Sequence, residues 1–439
     1  MNMNPEGGHA TASETSGLVK LVMLSLLTGA VIGLVIGCFR VVLDQLNTAR
    51  TDTVNWAHQW PVMGFILVCA SVAATTALAA WLVQRSRQPA AGSGIPHVEA
   101  VIEGKLSGAP LLLLPIKFVG GLLAIGGGLA LGREGPSVQM GSNLAHFLGS
   151  RCHLPTTDRI ALFASGAGAG LAVAFNAPIA GAVFVLEELV RRFDTRIAIA
   201  ALGTSCSAIA VASVMLGRQP DFNVGELSNP SAWTGPIFAL LGILAGLAGV
   251  AYNRLIIQTC ALFDGLSHLR PEVRALFIGA MVGALAWFAP DMVGGGDTIS
   301  QQALVGGIAL GALPLIFIVR FLLGPLSYAA GTPGGLFAPI LALGACLGLG
   351  FGHLCPQFVI DAGATPVTFA IAGMAAFLTA TVRAPVTGMI LIFEMTGAFN
   401  QALPMLWASF AAMAVPTLMG NTPIYDDLKA RTIGVAKTM

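Results

Sequence analysis

The sequence predicts an all-α polytopic membrane protein built from two copies of one unit of broken helices. Three observations carry that expectation: a composition poor in charge, apolar runs from end to end, and a motif set written twice. Of 439 residues, 55% are hydrophobic and 10% charged, whereas soluble chains carry roughly a quarter charged residues. The runs 18–38, 62–83, 111–131, 197–216, 237–251 and 403–419 approach or reach the roughly 20 residues that cross a hydrocarbon core. The stretches 175–189 and 336–349 are too short, or too interrupted by Gly and Pro, to cross as simple helices.

The repeat is read position by position. Ala177-Pro178-Ile179-Ala180-Gly181 precedes Glu187, and Ala384-Pro385-Val386-Thr387-Gly388 precedes Glu394 at the same distance. Upstream, Pro136 precedes Gly141 as Pro339 precedes Gly344. Residues 1–16 are polar and Gly-rich, unlike a basic signal peptide, and are expected to be a disordered tail. The first membrane repeat is placed at 17–217, a polar connecting segment at 218–231, the second repeat at 232–420 and a C-terminal segment at 421–439. Spacing alone leaves open whether the halves are parallel or inverted. Paired short, Gly/Pro-interrupted segments point to a transporter with its site near the midplane.

Net charge is +1, without long charged runs, so nucleic acid is not an expected partner. The seven cysteines form no CxxC pair, which implies neither disulfides nor a metal site, and no cofactor is expected. The basic clusters Arg85/Arg87, Arg191/Arg192 and Lys429/Arg431 belong in the cytoplasm by the positive-inside rule, which puts both termini there.

Three segments share one design: Gly92-Ser93-Gly94-Ile95-Pro96, Gly132-Arg133-Glu134-Gly135-Pro136 and Gly334-Gly335-Leu336-Phe337-Ala338-Pro339. Each sets glycine, then proline, before an apolar run. Proline suits the first helical turn, and glycine lets backbone N–H groups face a ligand. A helix start carries partial positive charge and unpaired donors, hence an anion site without a fixed full cation to trap its ion. One such motif alone is equally explained by helix breaking and packing.

With these motifs and Tyr425, the sequence resembles the CLC family of chloride channels and chloride/proton antiporters, in order from about residue 18 to 431. The resemblance implies two inverted repeats of tilted and broken helices in a multi-pass protein of the cell (inner) membrane. It also implies a homodimer with a separate pathway in each subunit, surrounded by lipid, with chloride and protons as its partners. By resemblance, the Ser93 and Tyr425 hydroxyls and the N–H groups of Leu336 and Phe337 coordinate the central anion. The chain stops fourteen residues beyond Tyr425, so the regulatory domains of some relatives are expected to be absent. His97 departs from the acid that relatives often carry and is assigned no role.

Glu134 sits at a helix start that would otherwise hold an anion. A carboxylate at mid-bilayer costs about 2.5–3.5 kcal/mol on insertion scales, which argues for function. Its charged form would compete with the anion, coupling anion arrival to protonation. Glu187 mirrors Glu394, but Glu188 mirrors Met395 and Glu134 mirrors Phe337, so both proposed proton carboxylates mark departures between the repeats. By resemblance Glu188 is the internal proton-transfer glutamate of antiporters. Glu99 and Lys117 are expected to form a buried structural ion pair. Chloride/proton exchange is the leading expectation, an uncoupled channel of the same fold the first alternative. A hydrolase using Ser93 with His97 is the alternative from another class; it needs both on one helix face and an orienting acid.

Overall fold

The computed structural model describes residues 12–438 apart from 87, 226, 228, 267 and 356–363. Helices dominate: α1 Ala12–Ala57, α2 Pro61–Ser86, α3 Ile95–Ile102, α4 Leu113–Gly126, α5 Glu134–Arg151, α6 Thr156–Phe175, α7 Pro178–Phe184 and α8 Thr195–Leu216. The second half follows with α9 Gly235–Gly265, α10 Pro271–Phe288, α11 Asp297–Leu304, α12 Leu313–Tyr328, α13 Phe337–Leu354, α14 Pro366–Val382, α15 Pro385–Thr396 and α16 Ala402–Leu418; α17 Ile424–Thr438 ends the chain. Because α1 starts at Ala12, residues 12–16 are helical rather than part of a tail; residues 1–11 lie outside the described residues.

Eight of the described helices are long and apolar enough to cross a membrane. Their outward faces carry large apolar side chains such as Met23, Val62, Ile66, Leu240 and Phe410, as a hydrocarbon solvent requires. Cys38 and Cys206 also lie on exposed surface, whereas Cys260 and Cys346 are buried; all seven cysteines are free.

The halves repeat one packing scheme. α5 packs on α6, α6 on α8 and α8 on α1; correspondingly α13 packs on α14, α14 on α16 and α16 on α9. Small residues permit these approaches. A Cβ on Gly141 would stand 2.2 Å from the Gly166 carbonyl oxygen, and one on Gly344 would stand 2.5 Å from that of Gly373. The recurrence of Gly141 and Gly344 five residues after a proline is therefore a packing requirement.

Two glutamates join the halves reciprocally. Glu187 accepts from the N–H groups of Val386 and Thr387 at 3.0 and 2.6 Å, and from the Thr387 hydroxyl at 2.7 Å. Glu394 accepts from the N–H groups of Ile179 and Ala180 at 3.0 and 2.7 Å. Each carboxylate caps the start of the other half's short helix, the contact a two-fold relation produces.

Candidate functional site

Three broken connections meet inside the bundle. Single bridges join Gly92 to Pro333 and Gly132 to Gly335, which brings the three glycine segments together. Gly94 ends the first segment as the N-cap of α3 with φ 83°, a conformation glycine adopts without strain. The starts of α5 and α13 meet head to head.

At that meeting point Glu134 is fully buried, and its Oε1 accepts the Phe337 N–H at 2.7 Å. The carboxylate thus takes a donor that the sequence reading reserved for an anion. Its fit depends on missing side chains: a Cβ on Gly335 would lie 2.0 Å from Glu134 Oε1, and one on Gly132 2.0 Å from Oε2. Arg133 does not neutralise it from the adjacent position. The guanidinium turns away to the Ala174 carbonyl at 2.9 Å, Asp221 at 3.2 Å and Asp44 at 3.3 Å.

Ser93 and Tyr425 lie on either side of the chain break before α3 and at the start of α17, both fully buried. Neither hydroxyl makes a hydrogen bond of normal geometry among the described residues. Buried hydroxyls are rarely left so. The Tyr425 ring stacks on Phe337 with centroids 6.0 Å apart, so the hydroxyl pair adjoins the start of α13. Leu336 caps that helix and is fully buried, as is Phe337. Gly135 packs so tightly that a Cβ would stand 2.7 Å from Ser93 Oγ; Ile95, Pro96, Pro136, Ala338 and Pro339 complete the buried first turns, with Gly334 packed on Leu131. The hydrolase geometry is not met, because the left-handed Gly94 separates Ser93 from α3, on which His97 lies.

Glu188 lies in a π-helical turn, Val185–Leu189, closed by the Val190 N–H on the Val185 carbonyl at 2.9 Å. The matching stretch of α15 is regular α-helix with Met395 buried. π turns widen a helix and frequently mark functional sites. Glu188 is 3% exposed and its Oε1 stands 3.6 Å from Arg191 Nη2, beyond a normal hydrogen bond. Arg191 is instead held by Asp426 through bonds of 3.3 and 3.0 Å. A surface cleft of about 520 Å³ is lined by Glu187, Glu188, Arg191, Arg192 and Arg383. The π turn has no signature in the apolar pattern; the Glu188/Met395 mismatch is its only sequence trace.

The expected Glu99–Lys117 ion pair is corrected. Glu99 pairs with Lys429 of α17 at 3.1 Å. Lys117, fully buried, donates to the carbonyls of Ala90 and Gly92 at 2.9 and 2.8 Å. Arg320, which the sequence reading missed, does the same in the second half, holding the carbonyls of Met292, Gly294 and Gly295 before α11. Both cations satisfy carbonyls of irregular backbone that have no partner in a helix. The signal was the spacing: each follows the glycine cap of a short helix, Gly94 or Gly296, by nearly the same distance.

A repeat-built bundle of apolar spans, with broken helix starts converging on a buried carboxylate, defines a multi-pass membrane protein of the transporter kind. The match to known proteins narrows this class. The chain belongs to the CLC family: the model of the voltage gated chloride channel family matches residues 75–417. It is similar to the H(+)/Cl(-) exchange transporter ClcA of Cronobacter sakazakii, 36% identical over 425 residues that cover 94% of this chain and 90% of that protein. The ClcA of Vibrio cholerae is 37% identical over 426 residues with the same coverage. Among solved structures, a slow cyanobacterial Cl-/H+ antiporter superposes with TM-score 0.89 at 30% identity, covering 94% of this chain and 98% of that one. A CLC-type fluoride/proton antiporter shares the fold, with TM-score 0.74 at 22% identity over 93% of this chain and 98% of that one. The fold expected from the sequence, an all-helical bundle of two inverted repeats, is the fold found.

Proposed function

We propose that this chain is a secondary active transporter that exchanges chloride for protons. The observation that carries the reading is the Glu134 carboxylate seated on the Phe337 N–H: one negative group at a time can use that helix start. Chloride takes the place when Glu134 is protonated and swings clear; the carboxylate takes it back when chloride leaves. The Ser93 and Tyr425 hydroxyls and the N–H groups of Leu336 and Phe337 act as neutral ligands, strong enough to replace water and weak enough to release the ion. Glu188 passes protons between the cytoplasmic side and Glu134 by a route the chloride ligands do not serve. Its charge, its burial in a widened turn and its place in the wall of a surface cleft support this role.

The membrane repeats occupy 17–217 and 232–420, joined by 218–231, with 421–439 returning Tyr425 to the site. The protein works as a homodimer with one pathway per subunit, in the inner membrane and among its lipids, with both termini cytoplasmic. Purified protein in liposomes tests the reading through the reversal potential under crossed chloride and pH gradients. Exchange predicts a reversal potential that moves with both gradients. A potential set by chloride alone identifies an uncoupled channel and overturns the proposal.

A further inference from the structure

The first half carries a third buried carboxylate without a charged counterpart. Glu99 stands five residues after the Gly94 cap, and the corresponding residue after the Gly296 cap is Gln301. Glu99 joins Glu134 and Glu188, whose counterparts Phe337 and Met395 are also uncharged.

Glu99 is 1% exposed, and a cation reaches it from a distant part of the chain. Lys429 Nζ lies 3.1 Å from Glu99, 2.7 Å from Glu103 and 3.0 Å from Asp426. Asp426 in turn binds Arg191 at 3.0 Å, and Arg191 lies 3.6 Å from Glu188. The charged groups facing Glu99 are Lys429, Arg191, Asp426 and Glu188; burial disfavours charge on Glu99, and Lys429, then Arg191, act against that. Lys429 is only 6% exposed. Burial opposes its charge, but Glu103, Glu99 and Asp426 outweigh that and hold the ammonium above the ordinary lysine range. Both Lys429 and Asp426 lie on α17 just beyond Tyr425, so the helix that presents the tyrosine hydroxyl also presents this cation.

We infer that Lys429 is a positioning residue for proton exchange: its ammonium favours the ion-paired carboxylate at Glu99 against the burial that opposes it, so that Glu188 rather than Glu99 takes the proton at the inner end of the path. A buried carboxylate stripped of its cation takes up a proton itself. Without Lys429, Glu99 becomes a second acceptor beside Glu188 and diverts protons from the relay. The chloride ligands do not touch Lys429, so anion passage is spared.

The inference rests on Glu188 as the proton-transfer group, and the experiment separates the two. Chloride and proton fluxes are read together in liposomes containing the full-length protein with Lys429→Met, Lys429→Arg, Glu99→Gln, the double variant Lys429→Met/Glu99→Gln, or Glu188→Gln. Lys429→Met is expected to lower coupled proton flux about tenfold, the effect of one pKa unit of misplaced proton affinity, while chloride flux is retained. Lys429→Arg keeps coupling, and adding Glu99→Gln to Lys429→Met restores it. A merely structural role predicts that both fluxes fall together and that the second substitution rescues neither. Either that result, or full coupling in Lys429→Met, overturns the inference. If Lys429→Met fails to assemble, the double variant is compared with Glu99→Gln alone: equal coupling supports the inference and lower coupling overturns it. Persistent coupling in Glu188→Gln sinks the role of Glu188 itself, a separate outcome.

Discussion

Replacing Glu134 by Gln isolates the competition at the start of α13. Glu134 Oε1 sits 2.7 Å from the Phe337 nitrogen, and an ion using that donor would stand within about 4 Å of the carboxylate, where two unit charges repel by about 4 kcal/mol at an effective dielectric of 20. That repulsion corresponds to roughly three pKa units, the size of the coupling between chloride arrival and protonation. The amide of Gln removes the charge and keeps the shape. A hydrogen bond to a charged group contributes about 1.5–3 kcal/mol and a neutral one about 0.5–1.5, so at mid-range the resident side chain is easier to displace by about 1 kcal/mol. Chloride should then bind roughly tenfold tighter in Glu134→Gln, where 1.4 kcal/mol is one decade. Isothermal titration of detergent-solubilised protein reads the affinity, and liposome flux reads transport. Chloride flux should persist without dependence on pH, and proton movement should vanish. Unchanged or weaker chloride binding, or protons still driven against a gradient, would refute the assignment.

Adjacent glutamates should behave oppositely. Glu188→Gln should abolish coupled proton flux while chloride passes, whereas Glu187→Gln should leave coupling intact and cost about 1–3 kcal/mol of stability through weakened bonds to α15; paired flux and thermal-unfolding measurements decide. Ser93→Ala or Tyr425→Phe removes one neutral donor, and each should weaken chloride binding by about 0.5–1.5 kcal/mol and loosen discrimination among anions, read from competition binding. Lys117→Met leaves two buried carbonyls unpaired and should destabilise the protein by about 2–5 kcal/mol without changing the exchange ratio of the folded fraction, a split read by thermal unfolding beside liposome flux.

Fold class and repeat were legible because both rest on local pattern: apolar runs of spanning length, and glycine and proline at fixed offsets from glutamate. The helix starts were legible for the same reason, and Glu134 declared itself by standing charged where Phe337 does not. Contacts between distant segments were not legible. Glu99 paired on paper with Lys117, a nearby cation, because sequence separation offered no view of α17 folding back to bring Lys429 against it. Lys117 and Arg320 hold backbone carbonyls, a role that depends on where irregular chain lies in three dimensions and leaves only a spacing in the sequence. The π turn at Glu188 is a one-residue change in helical register, too small for any periodicity to reveal.

The crossed glutamate caps constrain how such a protein can move. Five hydrogen bonds accepted by Glu187 and Glu394 fasten the two halves at α7 and α15. Rocking one half against the other would strain every one of them, at about 1.5–3 kcal/mol for each bond to a charged acceptor. Many repeat-built transporters alternate access by that kind of rigid-body swing. Here the seam is riveted, and the moving part must be smaller than a domain. On the proposed function, a single glutamate side chain, leaving its seat on α13 when it is protonated, would be a gate of the right size.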